Sequence, residues 1–361
     1  MFTMAPLPRW WDLIAACVPR RPDEAALSAP WKHGDETAIW FSRSTLIMRA
    51  IAEWRLKKSG PTTFWLPDYF CNAATTALRE TGIQLVFYPI TPDFAPDWQG
   101  CAKLAIDQPP GIFMLVHYFG VCAPPEPARA FCDIHGADLV EDCAHVLTPT
   151  GEIGSQGDFV FYSPHKLLAL PEAALVLIRN EADAAGILAA RDAEPSKAML
   201  PISWILRRVL QKLMPAALHA RRNADRLPAF DRDMTPDGVA LSRTRASAFA
   251  LRLLAREIQR LPEIGRLRRE NLNALEEAWD IHDDNLAAYR LVVRFDTAEA
   301  ARAAYTDLKG RGCPVETWPD LAPEVLAGDG AKALRLRQTQ ILLPVHQTIP
   351  KSALRHCCRS D

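Results

Sequence analysis

The first half of the chain alternates short apolar runs with segments of helical composition. The runs are apolar or β-branched and end at Pro, Gly, Asp or Asn, which is typical of buried parallel strands; they cover residues 62–66, 84–88, 112–117 and 137–140. Segments 72–81 and 125–135 have helical composition and are followed by Gly82 and Gly136, where helix-ending glycines would stand. This order predicts a doubly wound α/β fold with a mostly parallel sheet, whose ligands gather at the carboxyl ends of the strands.

The pattern changes after Arg179. Residues 181–222 are mainly helical in composition, and residues 204–214 place apolar side chains on one face with basic side chains beside them. Such a helix could lie on a membrane surface, but packing on its own domain or on a dimer mate is the favoured interpretation. A loop at 228–238, helices at 245–261, 263–279 and 298–310, and strands at 289–295 and 341–344 then predict a small α+β domain.

These patterns divide the chain into two predicted domains. We assign residues 30–235 to a large domain and residues 236–361 to a small C-terminal domain. Residues 1–29 are expected to pack as an N-terminal segment on one or the other.

Composition excludes several classes of protein. With 42 basic and 43 acidic residues, the net charge of -1 gives no global attraction for nucleic acid or an anionic membrane. The apolar residues near the start are interrupted by prolines, arginine and aspartate, and no run approaches the roughly 18 residues of a membrane span. Nine cysteines include no CxxC pair, so we expect reduced thiols and a soluble, cytoplasmic protein without a metal site.

Lys166 and Asp142 carry the most informative chemistry. Asp142 directly follows an apolar run, and Lys166 closes residues 157–166, GDFVFYSPHK. A lysine can form a Schiff base with pyridoxal phosphate, and an aspartate can keep the ring nitrogen of that cofactor protonated. Taken singly, Lys166 is more often a solvated surface lysine and Asp142 a helix N-cap, so it is the pairing that favours a catalytic role.

Four segments together resemble a known family. They are residues 66–72 (LPDYFCN), 116–120 (VHYFG), 141–145 (EDCAH) and 157–166. They are similar to the DegT/DnrJ/EryC1/StrS family of fold type I pyridoxal phosphate enzymes, which are mostly aminotransferases acting on nucleotide-linked keto sugars. The resemblance extends from about Phe41 to Gln347, with weaker phrases at 42–46, 268–271, 311–315 and 343–347.

The resemblance implies roles for three residues around the cofactor ring. Lys166 would form the internal aldimine and then move protons between cofactor and substrate as acid and base. Asp142 would pair with the pyridinium nitrogen, and His145 would touch the phenolic oxygen. A lone histidine is more often a satisfied polar group, and the spacing of the nearby His and Cys residues matches no familiar metal-ligand set.

Further cofactor contacts follow from the same resemblance. The backbone amides of Arg43 and Ser44, at the start of the first large-domain helix, would meet the phosphate, and Ser163 would add a hydroxyl. An ordinary N-terminal cap is an equally good interpretation of residues 42–45 taken alone. Phe70 and Cys71 match the region that covers one face of the ring, although an aromatic side chain is usual where Cys71 falls.

Some positions depart from the family pattern. Phe161 stands where a serine is frequent, and residues 171–174, PEAA, replace a glycine-rich phrase. The asparagine that the partner subunit usually sends to the phosphate has no clear counterpart near residues 238–242. Arg243 or Arg245 is the candidate replacement, and either arginine, like Arg43, could contact the phosphates of a sugar nucleotide. Singly, each is more often a surface ion-pair partner.

The leading hypothesis is a homodimeric aminotransferase with shared active sites. The resemblance implies glutamate as the amino donor, pyridoxamine phosphate as the aminated cofactor, and a nucleotide-linked keto sugar as the acceptor, in polysaccharide or antibiotic sugar assembly. Two alternatives stay open: a sugar dehydratase that uses the same cofactor, and a catalytically silent protein of this fold. Retention of Lys166 favours transamination over the dehydratase.

Overall fold

A seven-stranded sheet forms the centre of the computed structural model, which describes residues 2–20, 22–193, 200–214, 227–231, 244–281, 287–328 and 330–359. The strands are β1 (Thr37–Phe41), β2 (Thr63–Pro67), β3 (Gln84–Tyr88), β4 (Ile112–Val116), β5 (Asp138–Cys143), β6 (Phe159–Tyr162) and β7 (Ala174–Ile178). Their order is β1-β7-β6-β5-β4-β2-β3, and only β7 runs antiparallel to its neighbours. The predicted mostly parallel α/β sheet is thereby confirmed.

Helices cover both faces of this sheet. They are α1 (Trp10–Cys17), α2 (Glu24–Ser28), α3 (Ser44–Ser59), α4 (Asn72–Arg79), α5 (Trp98–Asp107), α6 (Pro125–His135), α7 (Glu181–Asp192), α8 (Ile202–Leu213) and α9 (Ala248–Glu257). Along β7, Ala174 and Val176 join one hydrophobic cluster with α3, while Leu175 and Leu177 join a second cluster with α1 and α9. Successive strand residues point to opposite faces, so a strand buried on both sides is apolar throughout.

A second sheet follows in the chain. It pairs β8 (Arg290–Arg294) with β9 (Gln340–Pro344) in antiparallel fashion, next to α10 (Leu261–Trp279), α11 (Ala298–Gly310), α12 (Pro323–Ala327), α13 (Ala331–Gln338) and α14 (Lys351–Leu354). On β8, Leu291 and Val293 pack in the local core, whereas Val292 packs in the core of the large sheet. Arg290 shares the face of Val292, since side chains alternate along a strand. The predicted domain limits stay a prediction, because the boundary at residue 235 lies outside the described residues.

The amphipathic segment forms α8 and packs against other elements of the same chain. Trp204 and Ile205 contact the cluster that contains Phe249, whose ring centroid lies 6.4 Å from that of Trp204. Leu206 and Leu210 are exposed on the other side of the helix. Residues 194–199 and 215–222 of the predicted helical segment lie outside the described residues. Within the described part of the chain, no helix has both the length and the apolar character needed to cross a membrane.

One cysteine pair corrects the expectation that all thiols are reduced. Cys313 and Cys357 are joined by a disulfide, with their Cα atoms 5.2 Å apart. The two residues are separated by 44 positions in sequence. Spacing along the chain carries no information about such a contact, because only the packing of α10, α11 and the C-terminal segment brings the two thiols together.

Candidate active site

Polar residues collect at one edge of the large sheet. Ser42, Asp68, His117 and Ser163 come directly after β1, β2, β4 and β6, and Asp142 lies near the end of β5. All five are buried. These strands run in the same direction, so their carboxyl ends meet at the same edge, where ligands of such sheets bind.

Lys166 lies at this edge in a tight turn after β6. The turn, Pro164–Lys166, is a short 3-10 helix in which the amide of Lys166 donates to the carbonyl of Ser163 at 2.9 Å. The Lys166 Nζ lies 3.3 Å from the His145 Nε2. The positive charge of Lys166 also acts on the carboxyl group of Asp142. The structure therefore brings together the three residues that the sequence predicted for the cofactor ring.

His145 is held in a fixed orientation. Its Nδ1 accepts a hydrogen bond from the amide of Phe119 at 3.2 Å, and its ring stacks on that of Tyr289 with centroids 4.1 Å apart and an interplanar angle of 12°. Gly120 has a φ of +88°, and a Cβ at this position would lie 2.8 Å from the His145 carbonyl oxygen, so only glycine fits. Burial, followed by the charges of Lys166 and Arg290, holds the pKa of His145 well below its ordinary value. His145 is therefore a neutral imidazole that carries its proton on Nε2.

Asp142 is buried, and among the described residues one hydrogen bond reaches its carboxylate. Its Oδ1 accepts from the amide of Ala144 at 2.8 Å. Burial raises the pKa of this carboxyl group, and the charge of Lys166 opposes the rise. A buried carboxylate in this position is stabilised by a cationic partner, which a protonated pyridine nitrogen would supply.

The start of α3 has the features of an anion-binding site. Arg43 occupies the N-cap position without a side-chain cap, so the first amides of this 16-residue helix stay available. Among the described residues, the buried hydroxyl groups of Thr45 and Ser163 have no hydrogen-bond partner. The Arg43 side chain itself donates from Nη2 to the carbonyl of Pro171 at 2.9 Å. A phosphate group therefore fits here through the amides of Ser44 and Thr45 and through hydroxyl groups, while the guanidinium is engaged elsewhere.

Cys71 and Phe70 differ in their relation to Lys166. Cys71 is the N-cap of α4, and the charge of Lys166 acts on its thiol, although burial raises the pKa of that thiol overall. Phe70 is buried in the core of the large sheet. The described contacts do not join the Phe70 ring to Lys166 or Asp142, so its stacking role stays a prediction.

The segment that replaces the glycine-rich phrase keeps a glycine-like conformation. Ala173 has a φ of +138°, a region that residues with a side chain rarely adopt. Its amide donates to the carbonyl of Ser42 at 3.1 Å, and its carbonyl lies 2.9 Å from the Nδ1 of His165. Burial, followed by the charge of Arg43, lowers the pKa of His165 to about 3, so this ring is neutral and donates from Nδ1. The turn at Lys166 is thus anchored to β1 despite the sequence departure.

Of the two arginines predicted as phosphate contacts, Arg243 and Arg245, the structure describes Arg245. Arg245 forms an ion pair with Asp192, with Nη2 and Oδ2 2.6 Å apart, and its side chain is half exposed. Arg243 and residues 238–242 lie outside the described residues.

A network of buried hydrogen bonds connects His117, after β4, with Glu141 on β5. His117 accepts from the amide of Ala123 through Nδ1 at 3.1 Å and donates from Nε2 to Glu141 at 2.9 Å. Glu141 also accepts from the amides of Gly154 and Gln156, each at 2.8 Å. Burial would raise the pKa of Glu141, but these hydrogen bonds hold it below its ordinary value.

His117, Glu141 and Cys143 lie close enough to hold a metal ion. The ring nitrogens of His117 and the oxygens of Glu141 are, however, already used in hydrogen bonds.

Sequence reasoning missed the residues that β8 and α10 bring to the site. Tyr289 stacks on His145, and the Arg290 guanidinium carbon lies 4.7 Å from the centre of the Tyr289 ring. Arg268, buried on α10, donates to the carbonyls of Tyr289 and Leu167. Arg268 belongs to a weak family phrase, but no local pattern marked any of the three as site residues.

Comparison with known proteins first defines the class. The mixed α/β fold with its mostly parallel seven-stranded sheet matches that of fold type I pyridoxal phosphate-dependent aminotransferases. The segment that carries the site, residues 66–196, matches the model of the DegT/DnrJ/EryC1/StrS aminotransferase family. The resemblance seen in the sequence motifs and the predicted class of enzyme, a pyridoxal phosphate-dependent aminotransferase, are thereby confirmed. No curated protein matches the chain by sequence.

Solved structures share the fold along nearly the whole chain. Helicobacter pylori PseC, described as an aminotransferase involved in the biosynthesis of pseudoaminic acid, has a TM-score of 0.70 and 14% identity, covering 98% of this chain and 96% of its own. The aminotransferase TlmJ from Streptoalloteichus hindustanus has a TM-score of 0.66 and 18% identity, covering 97% and 89%. The putative sugar aminotransferase Spr1654 from Streptococcus pneumoniae, in its PMP-form, has a TM-score of 0.69 and 14% identity, covering 99% and 97%.

Proposed function

We propose that the protein is a homodimeric aminotransferase that uses pyridoxal phosphate to move an amino group from glutamate to a keto sugar carried on a nucleotide. The observation that carries the proposal is the meeting of Lys166, His145 and Asp142 at the strand ends, inside the segment that matches the family. The sugar acceptor is supported by the descriptions of the structural neighbours, and the homodimer and the donor by the family resemblance.

The residues present fit the cofactor. Bound pyridoxal phosphate would supply an aldehyde for the lysine and a ring that accepts electrons. Asp142 would hold the proton on the ring nitrogen. Burial raises the pKa of its carboxyl group and a positive charge lowers it, as that of Lys166 does, so a cationic ring would stabilise the carboxylate. The α3 amides and the unpartnered hydroxyl groups of Thr45 and Ser163 would hold the phosphate.

His145 would orient the lysine. The amide of Phe119 occupies Nδ1, so the proton on Nε2 is directed toward the Lys166 Nζ, 3.3 Å away. Once released, the same amine would carry the proton between the substrate carbon and the cofactor.

The test is a coupled product assay. Purified protein with pyridoxal phosphate, glutamate and a panel of nucleotide-linked keto sugars should yield 2-oxoglutarate and an amino sugar nucleotide in equal amounts, measured by mass spectrometry. The Lys166→Ala variant is the control and should yield neither product. A deoxy sugar formed without incorporation of nitrogen would contradict the proposal in favour of a dehydratase. If the protein takes up the cofactor but aminates none of a broad panel of nucleotide-linked keto sugars, the proposed acceptor class is contradicted.

A further inference from the structure

The helices α1 and α8 pack on the same core and turn apolar side chains toward solvent. Leu13 of α1 belongs to the hydrophobic cluster that contains Phe249, and Trp204 of α8 packs against that cluster. Because each helix buries one face in a common core, the opposite faces both point away from it. The Lys212 Nζ of α8 lies 5.0 Å from the centre of the Trp10 ring of α1, so the two helices also meet at the surface.

The outer face of α8 carries a stripe of apolar side chains. Ile202, Leu206, Leu210 and Leu213 are 46% to 66% exposed, and they follow one another at intervals of three or four residues. Residues at these intervals lie on the same side of an α-helix, so the four side chains form one continuous stripe. Single exposed apolar side chains are common on soluble proteins, whereas a contiguous group of them marks an interaction site.

The outer face of α1 has a similar stripe that includes tryptophan. Trp10, Ile14 and Val18 are spaced by four residues and are exposed, and Trp11 beside them is 78% exposed. The acidic residue of this helix, Asp12, is buried on the other side. Tryptophan is favoured at the boundary between lipid and water, because its ring is apolar and its N–H group is polar.

The charge around the α8 stripe is positive. Residues 195–224, which contain this helix, have lysine or arginine at positions 197, 207, 208, 212, 221 and 222 and have no aspartate or glutamate. The whole chain, in contrast, is almost neutral. Arg207 is exposed at one border of the stripe, and Lys212 lies at the other border. Leucines on one side of a helix with basic residues at the borders are typical of helices that lie in the surface of an anionic membrane.

The same charge distinguishes between two possible occupants of this face. In a symmetric dimer the face would meet the identical face of a second copy, and the basic residues of the two copies would repel each other. A membrane that contains anionic lipids has the complementary charge and attracts basic residues near its surface. The combination of apolar stripes and positive charge therefore favours lipid over a second copy.

We propose that the outer faces of α1 and α8 bind the surface of an anionic membrane. The apolar stripes would enter the headgroup region, and the basic residues at their borders would contact lipid phosphates. Both helices would keep their packing on the core, so binding requires no rearrangement of the fold. The inference goes beyond the proposed function and does not depend on it.

Co-sedimentation of the full-length protein with lipid vesicles tests this proposal. The vesicles contain phosphatidylcholine alone or equal parts of phosphatidylcholine and phosphatidylglycerol, and binding is measured against lipid concentration at low and high salt. We expect binding to the mixed vesicles that weakens at high salt. The double variant Leu206→Gln/Leu210→Gln should bind about tenfold more weakly or less, because it removes apolar surface from the stripe. Arg207→Gln should bind about fivefold more weakly, and Trp11→Gln should also lose affinity if α1 takes part.

The double variant Ile106→Gln/Ile134→Gln is the matched control. Ile106 on α5 and Ile134 on α6 are 80% and 79% exposed, and their helices pack on the other face of the large sheet. This variant removes as many exposed apolar side chains as the leucine variant, and it should bind the mixed vesicles as the wild type does. Equal losses in the two variants would overturn the proposal, because they would show an effect of overall hydrophobicity.

The molar mass of each protein, measured by light scattering, separates a membrane surface from an interface between copies. The wild type and the leucine double variant should have the same molar mass and the same circular dichroism, because the replaced side chains are exposed. The proposal is overturned if the wild type does not bind the mixed vesicles, or if it binds both kinds of vesicle equally. It is also overturned if the leucine variant binds like the wild type, or if that variant has a lower molar mass, since the face would then hold a second copy. These measurements use neither cofactor nor substrate, so their outcome leaves the proposed aminotransferase activity to its own test.

Discussion

Two polar clusters meet at His145, and they differ in how their charges are balanced. The cluster at the strand ends pairs an amine with a carboxyl group, Lys166 and Asp142, beside the hydroxyl groups of Thr45 and Ser163, which have no hydrogen-bond partner among the described residues. The cluster on β8 and α10 has two buried cations and, among the described residues, no paired carboxylate. The first cluster suits a zwitterionic cofactor, whereas the second brings two buried positive charges together. A single histidine between them places the reacting amine at their boundary.

The largest effect is expected when the cofactor side is broken at Asp142. Asp142→Asn removes the charge that would stabilise a protonated ring nitrogen. Removing one partner of a buried ion pair costs about 3 to 5 kcal/mol, so the affinity for the cofactor should fall about 100-fold or more. Titration of the cofactor-free protein with pyridoxal phosphate measures this.

Asp138→Asn is the control for that change. Asp138 begins the same strand at its opposite end and pairs with Arg55, with Nη1 and Oδ2 2.9 Å apart. Its neutralisation should leave cofactor affinity close to that of the wild type. Equal losses in the two variants would point to damage to β5 and would remove Asp142 from the cofactor site.

A smaller effect is expected near Arg290 and Arg268, where a buried histidine should make the stability of the protein depend on pH. His346 is fully buried, and burial, followed by the charges of Arg290 and Arg268, lowers its pKa from 6.5 to about 3 despite the hydrogen bond to Thr3. Between these values the unfolded chain binds a proton that the folded protein does not. Stability is therefore fully present above the unfolded pKa and is lost as the pH falls through this window, by up to about 1.4 kcal/mol per pH unit.

His346→Gln should flatten that dependence. Urea denaturation at several pH values within the window gives the change in the free energy of unfolding per pH unit for each protein. This slope should be smaller in the variant by up to about 1.4 kcal/mol per pH unit, whatever the absolute stability of the variant. Cofactor affinity at neutral pH should be unchanged, since the charges that act on His346 are those of Arg290, Arg268 and Arg208 and not those of Lys166 or Asp142. An unaltered slope would mean that His346 is protonated in the folded protein and that the charge imbalance is weaker than described.

The smallest effect concerns the strained link between the lysine turn and β1. Ala173→Gly relieves a backbone conformation with a φ of +138° and should raise the free energy of unfolding by about 1 kcal/mol. Ala174→Gly, one residue later in the extended β7, should instead lower it by about 0.5 to 1 kcal/mol. Thermal or chemical denaturation distinguishes the two. Destabilisation by both would show that the Ala173 side chain contributes more by packing than its backbone costs.

Asp142 and Lys166 could be predicted from the sequence because each lies in a short continuous motif. Asp142 ends an apolar strand and Lys166 ends a short motif, so local pattern and chemistry coincide. Helix 125–135 and strand 84–88 were predicted with the bounds that the structure has, since glycine, proline or aspartate stands near each. Strands β1, β6 and β7 were not assigned as strands, although residues 157–166, which contain β6, were recognised as a motif.

The second cluster could not be predicted in this way. Arg268 and Arg290 are distant in sequence, and only the packing of α10 against β8 makes them neighbours. What marks them is that neither guanidinium pairs with a carboxylate among the described residues, and this can be seen only in the folded structure. The Cys313–Cys357 disulfide escaped prediction for the same reason.

The central claim, that Lys166 holds pyridoxal phosphate for amino transfer, is tested most directly by visible absorption spectroscopy. Purified protein is mixed with pyridoxal phosphate, and the spectrum is recorded before and after addition of glutamate, beside Lys166→Ala. We predict a visible band of lysine-bound cofactor that requires Lys166 and disappears with glutamate. A folded wild-type protein that develops no such band, or a band that is equally strong in Lys166→Ala, would contradict the claim.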